Sequence, residues 1–373
     1  AMVMAMRVAL FEGTWEKYHK GTDFAAAEYK SDDFLQQVLT LGDELFQMGI
    51  TLNTKENDKS VKNIDDAYGN LFNSKDLSAT QEVLFWKKYS IADNLVHSLN
   101  TNLSSGMCDA EGPAGLSQSL VDNYLSVDGN FIDPTAAKFK DFNESFKDRD
   151  GRLLATVMHS DCKYKSMTVK GAKKMLVKAY SEEDKDLINP PQIVSTGNQS
   201  NTTGYHIRMG IDTTFVSGQG ETATPMIRYA EVLLSYLEAN IESGTPITQN
   251  LLDETINRVR GREEIKMPPV TETNPDKLTT ILRRERRVEL AWEGLRLFDL
   301  FRWRTAHILL KGRFHGMKIC SKEKAPGYTK VPVNADGYYF CEETFFRENV
   351  DYLWPIPQAE RDVNKNLTQN SGY

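Results

Sequence analysis

The sequence predicts a mainly α fold in which tetratricopeptide-like helix pairs, an α/α superhelix, cradle a large irregular loop-rich region with short strands. Three observations carry that expectation. Apolar residues recur at helical spacing near the start of the chain and again from about residue 223. Between about 76 and 222 the period disappears among Gly, Pro, Asn and Ser clusters. Successive helical runs are also separated by short turns, which brings neighbours back antiparallel. Stacked pairs of this kind suggest a short, degenerate solenoid, although the repeat of about 34 residues typical of such folds is not kept.

The elements follow in order. AMVMAMRVALFEG reads as an amphipathic helix already under way, so the chain is read as a fragment whose first helices lie upstream. In DDFLQQVLTLGDELFQMG, residues Leu35, Val38, Leu39, Gly42, Leu45 and Phe46 form one stripe and Gly49 ends the run. Between these helices GTWEKYHKGTD is expected as a turn whose rings, Trp15 and Tyr18, close the end of the pair. EVLFWKKYS is expected as a strand with Val83, Phe85 and Lys87 on one face. TPMIRYAEVLLSYLEANIESG is expected as one helix capped by Thr224, with Pro225 in its first turn and Gly244 at its end. QNLLDETINRVRG adds a second helix through Leu252, Ile256 and Val259, and two more follow the linker KMPPVTETNPD. The expected organisation is one compact unit. It comprises helix pairs over 1–75, an irregular ligand-facing region over 76–222, helix pairs over 223–315, and an extended segment over 316–373 packing back on the helices.

Composition excludes several classes. A net charge of −7 offers no basic stripe for nucleic acid. Cys108, Cys162, Cys320 and Cys341 lie far apart with no C-x-x-C pair, which argues against a zinc site and a dense disulfide framework. No signal peptide and no spanning run of about twenty apolar residues is present. No H-E-x-x-H, G-x-S-x-G, Walker or G-x-G-x-x-G pattern occurs, and His206 and His315 read as surface or packing residues. No cofactor is implied.

The densest motif is RRERRVELAWEGLRLFDLFRW, residues 283–303, with six arginines, four carboxylates and four aromatics. Glu285, Glu289 and Glu293 step by four along one face, Arg286 lies within reach of Glu289, and Asp299 sits three residues from both Arg296 and Arg302. A catalytic carboxylate pair needs one group isolated enough to keep a proton. Here every acid has an arginine neighbour, so the run reads as an ion-pair network joining helices. Leu290, Trp292, Leu295, Phe298, Phe301 and Trp303 are expected to be buried between them.

This run resembles the signature of the SusD/RagB-like nutrient-binding outer-membrane lipoproteins. PMIRYAEVLLSYLEAN, SLVDNYLSVDG, FKDRDGR and the ending YLWPIPQAERDVNKNLTQNSGY are similar to further segments of that family in the same order, and RVALFEGTWEKYH fits its N-terminal hairpin. The resemblance implies a non-catalytic protein that holds an oligosaccharide or other nutrient at the cell surface of Bacteroidota. It further implies an N-terminal lipid anchor absent from this chain and a SusC-like TonB-dependent transporter as partner. The 283–303 motif is scaffold in that family, so none of its residues is carried over as a sugar contact.

A glycan site wants aromatic platforms for the C–H faces of sugars, with amides or charges at their edges. In the irregular middle the candidates are Trp86, Tyr89, Asn94 and His97, then Tyr164, Tyr180 and Tyr205, with Asn198, Gln199 and Asn201 nearby in sequence. For any single ring, core packing competes with this reading. Two other functions stay open: a glycoside hydrolase on a helical scaffold, which needs two opposed carboxylates in a cleft, and a peptide-binding helical repeat, which needs an open concave face. The concave face is expected to be filled by the middle segment.

Overall fold

The computed structural model describes residues 1–26, 28–54, 67–99, 115–133, 144–157, 166–169, 172–175, 203, 205, 207–210, 218–318 and 334–373. The chain is mainly helical. Helix α1 (Met2–Tyr18) and α2 (Ser31–Phe46) form the first pair. Leu35, Val38 and Leu45 of α2 are buried against Val3, Met6 and Leu10 of α1. The Ser31 hydroxyl donates to the Gly13 carbonyl at 2.6 Å, tying the start of α2 to α1.

Trp15 and Tyr18 therefore lie on α1 and not in a turn. Gly13 lies inside α1 where α2 passes close by: a Cβ there would meet Leu35 at 3.1 Å. Trp15 stacks on His19 at 4.0 Å and meets Tyr352 edge-on at 6.4 Å. The segment near the C-terminus thus closes over the end of the first helix pair, where Leu300, Ala306 and Tyr352 form a small core with Trp15.

After α3 (Ala67–Asn73), strand β1 (Val83–Lys87) pairs antiparallel with a strand where a helix start was expected. Thr224–Arg228 is extended, in register Val83↔Arg228 and Lys87↔Thr224. The helix begins only at Tyr229, whose N–H donates to the Glu82 carbonyl at 2.8 Å. Pro225 lacks the N–H that an interior strand position would use but is tolerated in this two-stranded sheet. Arg228 is drawn inward by its acidic partners, and that tertiary demand overrides Thr224 as a cap.

The middle segment supplies α4 (Gln118–Val121), α5 (Gly151–Thr156) and a hairpin of β2 (Ser166–Val169) and β3 (Ala172–Met175), before β4 (Thr224–Arg228). Helix α6 (Tyr229–Glu242) follows, buried on nearly every side and ended by Gly244 at φ 74°. The next run is two helices, α7 (Gln249–Glu254) and α8 (Ile256–Arg260), broken at Thr255, where φ and ψ are −120° and −98°. Helix α9 (Pro275–Glu289) is sharply started: Asn274 caps it by accepting from Lys277 N–H at 3.2 Å, and Pro275 fills the first turn. Then come α10 (Arg296–Arg302), α11 (Ala306–Leu309), the antiparallel pair β5 (Gly312–Lys318) and β6 (Tyr338–Thr344), and α12 (Gln358–Val363).

One core joins α1, α2, α6, α7, α8 and α9. Gly42 sets the spacing of its middle layer, since a Cβ there would lie 2.3 Å from the Tyr236 ring. A second core is built by α3 and the middle segment, with Tyr68, Tyr124, Leu153 and Ile207, and reaches Val288 of α9. The face of α9 bearing Glu285 and Glu289 is covered by Asp150 and Arg152 of the middle segment and by Glu82, so it is not an open groove.

Candidate functional site

The charged run forms two buried clusters. In the first, Arg228 reaches Glu82 (2.6 Å), Glu289 (3.1 Å) and Glu293 (2.6 Å), while Arg262 bridges Glu82 (2.8 Å) and Glu289 (3.0 Å). Arg152 adds Asp150 (2.7 Å), Glu285 (2.6 Å) and Glu289 (2.9 Å), and Arg260 adds Glu285 (2.7 Å). In the second, Asp299 is shared by Arg286 and Arg302, and Arg302 holds Glu238. Glu238 also accepts from the Trp303 indole at 2.6 Å.

Burial alone would raise the Glu289 carboxyl, but Arg262, Arg228 and Arg152 outweigh it and hold it at about 2. Burial dominates at Glu293, whose carboxyl is raised despite Arg228. Both glutamates are hydrogen-bonded and enclosed, so neither is placed to act on a ligand. The pairing partners differ in part from those that spacing suggests. Arg286 bonds Asp299 and not Glu289, and Arg296 has no ion pair or hydrogen bond with a described residue. Nor are all the rings buried: Trp292 is 47% and Phe298 55% exposed.

The sequence candidates divide. Trp86 is half-buried against the second core. Tyr89 meets His97 edge-on at 4.5 Å, with Lys87 Nζ 5.1 Å from its ring. His97 is engaged at both nitrogens, Nε2 with the Thr222 carbonyl (3.0 Å) and Nδ1 with the Leu99 N–H (3.1 Å), a pattern that makes the ring a loop anchor. Asn94 occupies an exposed turn at φ 53°. Tyr205 is only 6% exposed, so its ring offers no platform; its hydroxyl donates to Gln118 Oε1 at 2.8 Å. Tyr164, Tyr180, Asn198, Gln199, Asn201 and His206 lie outside the described residues, as do Cys108, Cys162 and Cys320.

That Tyr205–Gln118 bond leads to a cleft the sequence reading missed. It has a volume of about 640 Å³ and lies between α4, the outer sides of α9 and α10, and the β5–β6 pair. Its rings are Phe314, His315 and Tyr338, each half-buried. His315 and Tyr338 are 6.4 Å apart and tilted by 65°. Asn334 shapes the approach to β6, its side-chain oxygen accepting from the N–H groups of Asp336 (3.0 Å) and Tyr338 (2.9 Å). On the opposite wall Ser117 caps α4, Gln118 donates to Asp122 at 2.7 Å, and Arg287 donates to Ser119 at 2.8 Å. Arg149 secures the end of α4 by donating to the carbonyls of Val121 and Tyr124.

The electrostatics of the cleft are uneven. Burial raises Asp122 against the opposing pull of Gln118, Arg149 and Arg287. Burial lowers Arg287, and burial followed by the neighbouring Arg287 guanidinium pushes Arg296 down to about 10. The site therefore offers ring faces, amide groups and cations together. Among the described residues no group of three or more His, Cys, Asp or Glu is arranged to hold a metal, and no helix is long and apolar enough to cross a membrane. The sequence carried one clue, the N-A-D-G turn before aromatic Tyr338, but α4, α9 and β6 converge only through the fold.

Residues 72–373 match the model of the SusD family. The chain belongs to the SusD family. Among solved structures, it is similar to a SusD-like carbohydrate-binding protein of Bacteroides fragilis at 27% identity and TM-score 0.68, over 97% of this chain and 70% of that one. A second SusD-like protein of the same species matches at 20% identity and TM-score 0.68, over 100% of this chain and 64% of that one. A structure solved with a xylogluco-oligosaccharide matches at 16% identity and TM-score 0.57, over 98% of this chain and 65% of that one. At those lower identities the likeness is one of fold. No curated protein matches.

Proposed function

We propose that this SusD-family chain binds an oligosaccharide without acting on it chemically, and passes it as a nutrient to a SusC-like TonB-dependent transporter at the outer-membrane surface. The observation that carries the reading is the cleft, where half-buried Phe314, His315 and Tyr338 stand beside Gln118, Asn334 and the guanidinium groups of Arg287 and Arg296. Rings take the apolar faces of sugars and the polar groups take their hydroxyl rim. The carbohydrate-binding name of the Bacteroides fragilis relative and the oligosaccharide in the third match support the same ligand class. Trp86, Tyr89, Asn94 and His97 form a second candidate surface, and Tyr164 and Tyr180 remain proposed contacts.

Calorimetry against a panel of oligosaccharides tests the reading, with Tyr338→Ala compared with Trp86→Ala, Tyr89→Ala and Tyr164→Ala. Binding lost in Tyr338→Ala places the ligand in the cleft, whereas loss only in the other three moves it to the middle segment. A panel in which nothing binds ends the glycan assignment. Delivery is tested by isolating the protein from outer membranes with ligand present. Co-isolation with a TonB-dependent transporter is expected, and a chain that always elutes alone counts against it.

One observation favours a hydrolase as the second reading. Asp122 is held toward its neutral form and shares the cleft with Asp336, and unequal carboxylates are what glycoside hydrolysis uses. Reducing-sugar release abolished by Asp122→Asn would favour it; no release from any ligand that binds is the outcome expected here.

A further inference from the structure

The cleft's cations outnumber its acids. Arg287, Arg296, Lys311 and Arg313 line it against Asp122 and Asp336, in a chain whose net charge is −7. Arg286 and Arg302, from the same run of sequence, are paired with carboxylates. Arg287 and Arg296 are not. Arg287 has one hydrogen bond, to the neutral Ser119 hydroxyl at 2.8 Å, and Asp122 is occupied by Gln118 at 2.7 Å. Arg296 has no ion pair or hydrogen bond with a described residue, and after burial it is the neighbouring Arg287 guanidinium that lowers it further. Two partly buried cations with no carboxylate bonded to either are costly to hold side by side, and Asp122 and Asp299 act on them only from a distance. A ligand anion would offset that cost. The planar guanidinium fork matches carboxylate and sulfate groups in two-point contact.

We propose that the cleft is built for an acidic oligosaccharide, whose carboxylate or sulfate lies against Arg287 and Arg296 while a sugar ring faces Tyr338. This rests on the glycan-binding reading above and names the ligand class of the same site. The test is calorimetry with the full chain and three ligands of equal length: an oligogalacturonate, a sulfated oligosaccharide and a neutral gluco-oligosaccharide. One or both acidic ligands should bind more tightly than the neutral one and weaken as salt is added. Whichever binds identifies the anion. Arg296→Gln and Arg287→Gln should each weaken the acidic ligand by about 10- to 100-fold, the scale of a charge-assisted hydrogen bond. Arg296→Lys should restore part of the loss. Melting curves of each variant separate lost binding from lost structure, and Arg287→Gln stands as an independent arm should Arg296→Gln fail to fold.

Equal binding of acidic and neutral ligands, unmoved by salt and by both Arg→Gln changes, would overturn the acidic assignment and leave glycan binding intact. Binding of no saccharide at all would remove the broader reading and this one with it.

Discussion

Residues 283–303 supply arginines to two regions that treat them in opposite ways. Inside, Arg286 and Arg302 join Asp299 and Glu238, just as Glu285 and Glu289 gather Arg152, Arg228, Arg260 and Arg262 from other segments. Outside, Arg287 and Arg296 face the cleft with no carboxylate bonded to them. A matched network holds elements together and is expensive to break from one side; an unmatched pair adds no stability to the fold and is free to meet a ligand. The same residue type, a few positions apart, thus belongs to scaffold or to site according to whether an acid from elsewhere in the chain reaches it.

The sharpest way to break this contrast is to remove one acid. Glu289→Gln withdraws the charge shared by three guanidinium groups and should cost about 3–5 kcal/mol in urea unfolding. A loss below about 1 kcal/mol would mean that the network does not hold the helices together. Acid should act on the same group more gradually. The Glu289 carboxyl is near 2 in the folded chain, below its unfolded value of about 4.3. Its contribution is complete above the unfolded value and is lost as pH falls toward 2, on the order of 3 kcal/mol in all. Glu285, Glu238 and Asp299 are lowered and act with the same sign, whereas raised Glu293 acts oppositely. Melting temperature should therefore drop between about pH 4.5 and 2, and a flat profile there would contradict the pairing.

On the cleft side the effects should fall on binding and spare stability. Tyr338→Ala should weaken the oligosaccharide by about 1–2 kcal/mol in calorimetry, the range for an aromatic contact, with a nearly unchanged melt. Smallest of all, Arg296→Gln should alter unfolding free energy by about 0.5 kcal/mol or less, or stabilise the chain slightly, because no buried partner is orphaned. A loss comparable with that of Glu289→Gln would place Arg296 in the scaffold after all.

How much of this was legible follows from what sequence spacing encodes. Helical period located α2, α6 and α9, because apolar stripes are local. The extended Thr224–Arg228 was hidden, since five residues leading into a helix share its apolar texture while their partner strand lies far upstream. Arg296 was misassigned for a related reason. A separation of three gives reach to Asp299, but Arg286 and Arg302 compete for the same oxygens and take them. The arginine-rich run could be read as structural because every acid in it had a cation nearby. The cleft could not, since Gln118, Arg287 and Tyr338 come from separate segments, and Tyr205 looked like a platform when it is the buried support of Gln118.

The notch at Gly42 has a consequence for sequence change. With the Tyr236 ring filling the space a methyl would need, the two positions are one shape divided between two helices. A relative that carries alanine at 42 should carry a smaller side chain at 236, and swapping either alone should pry the layers apart where swapping both restores them.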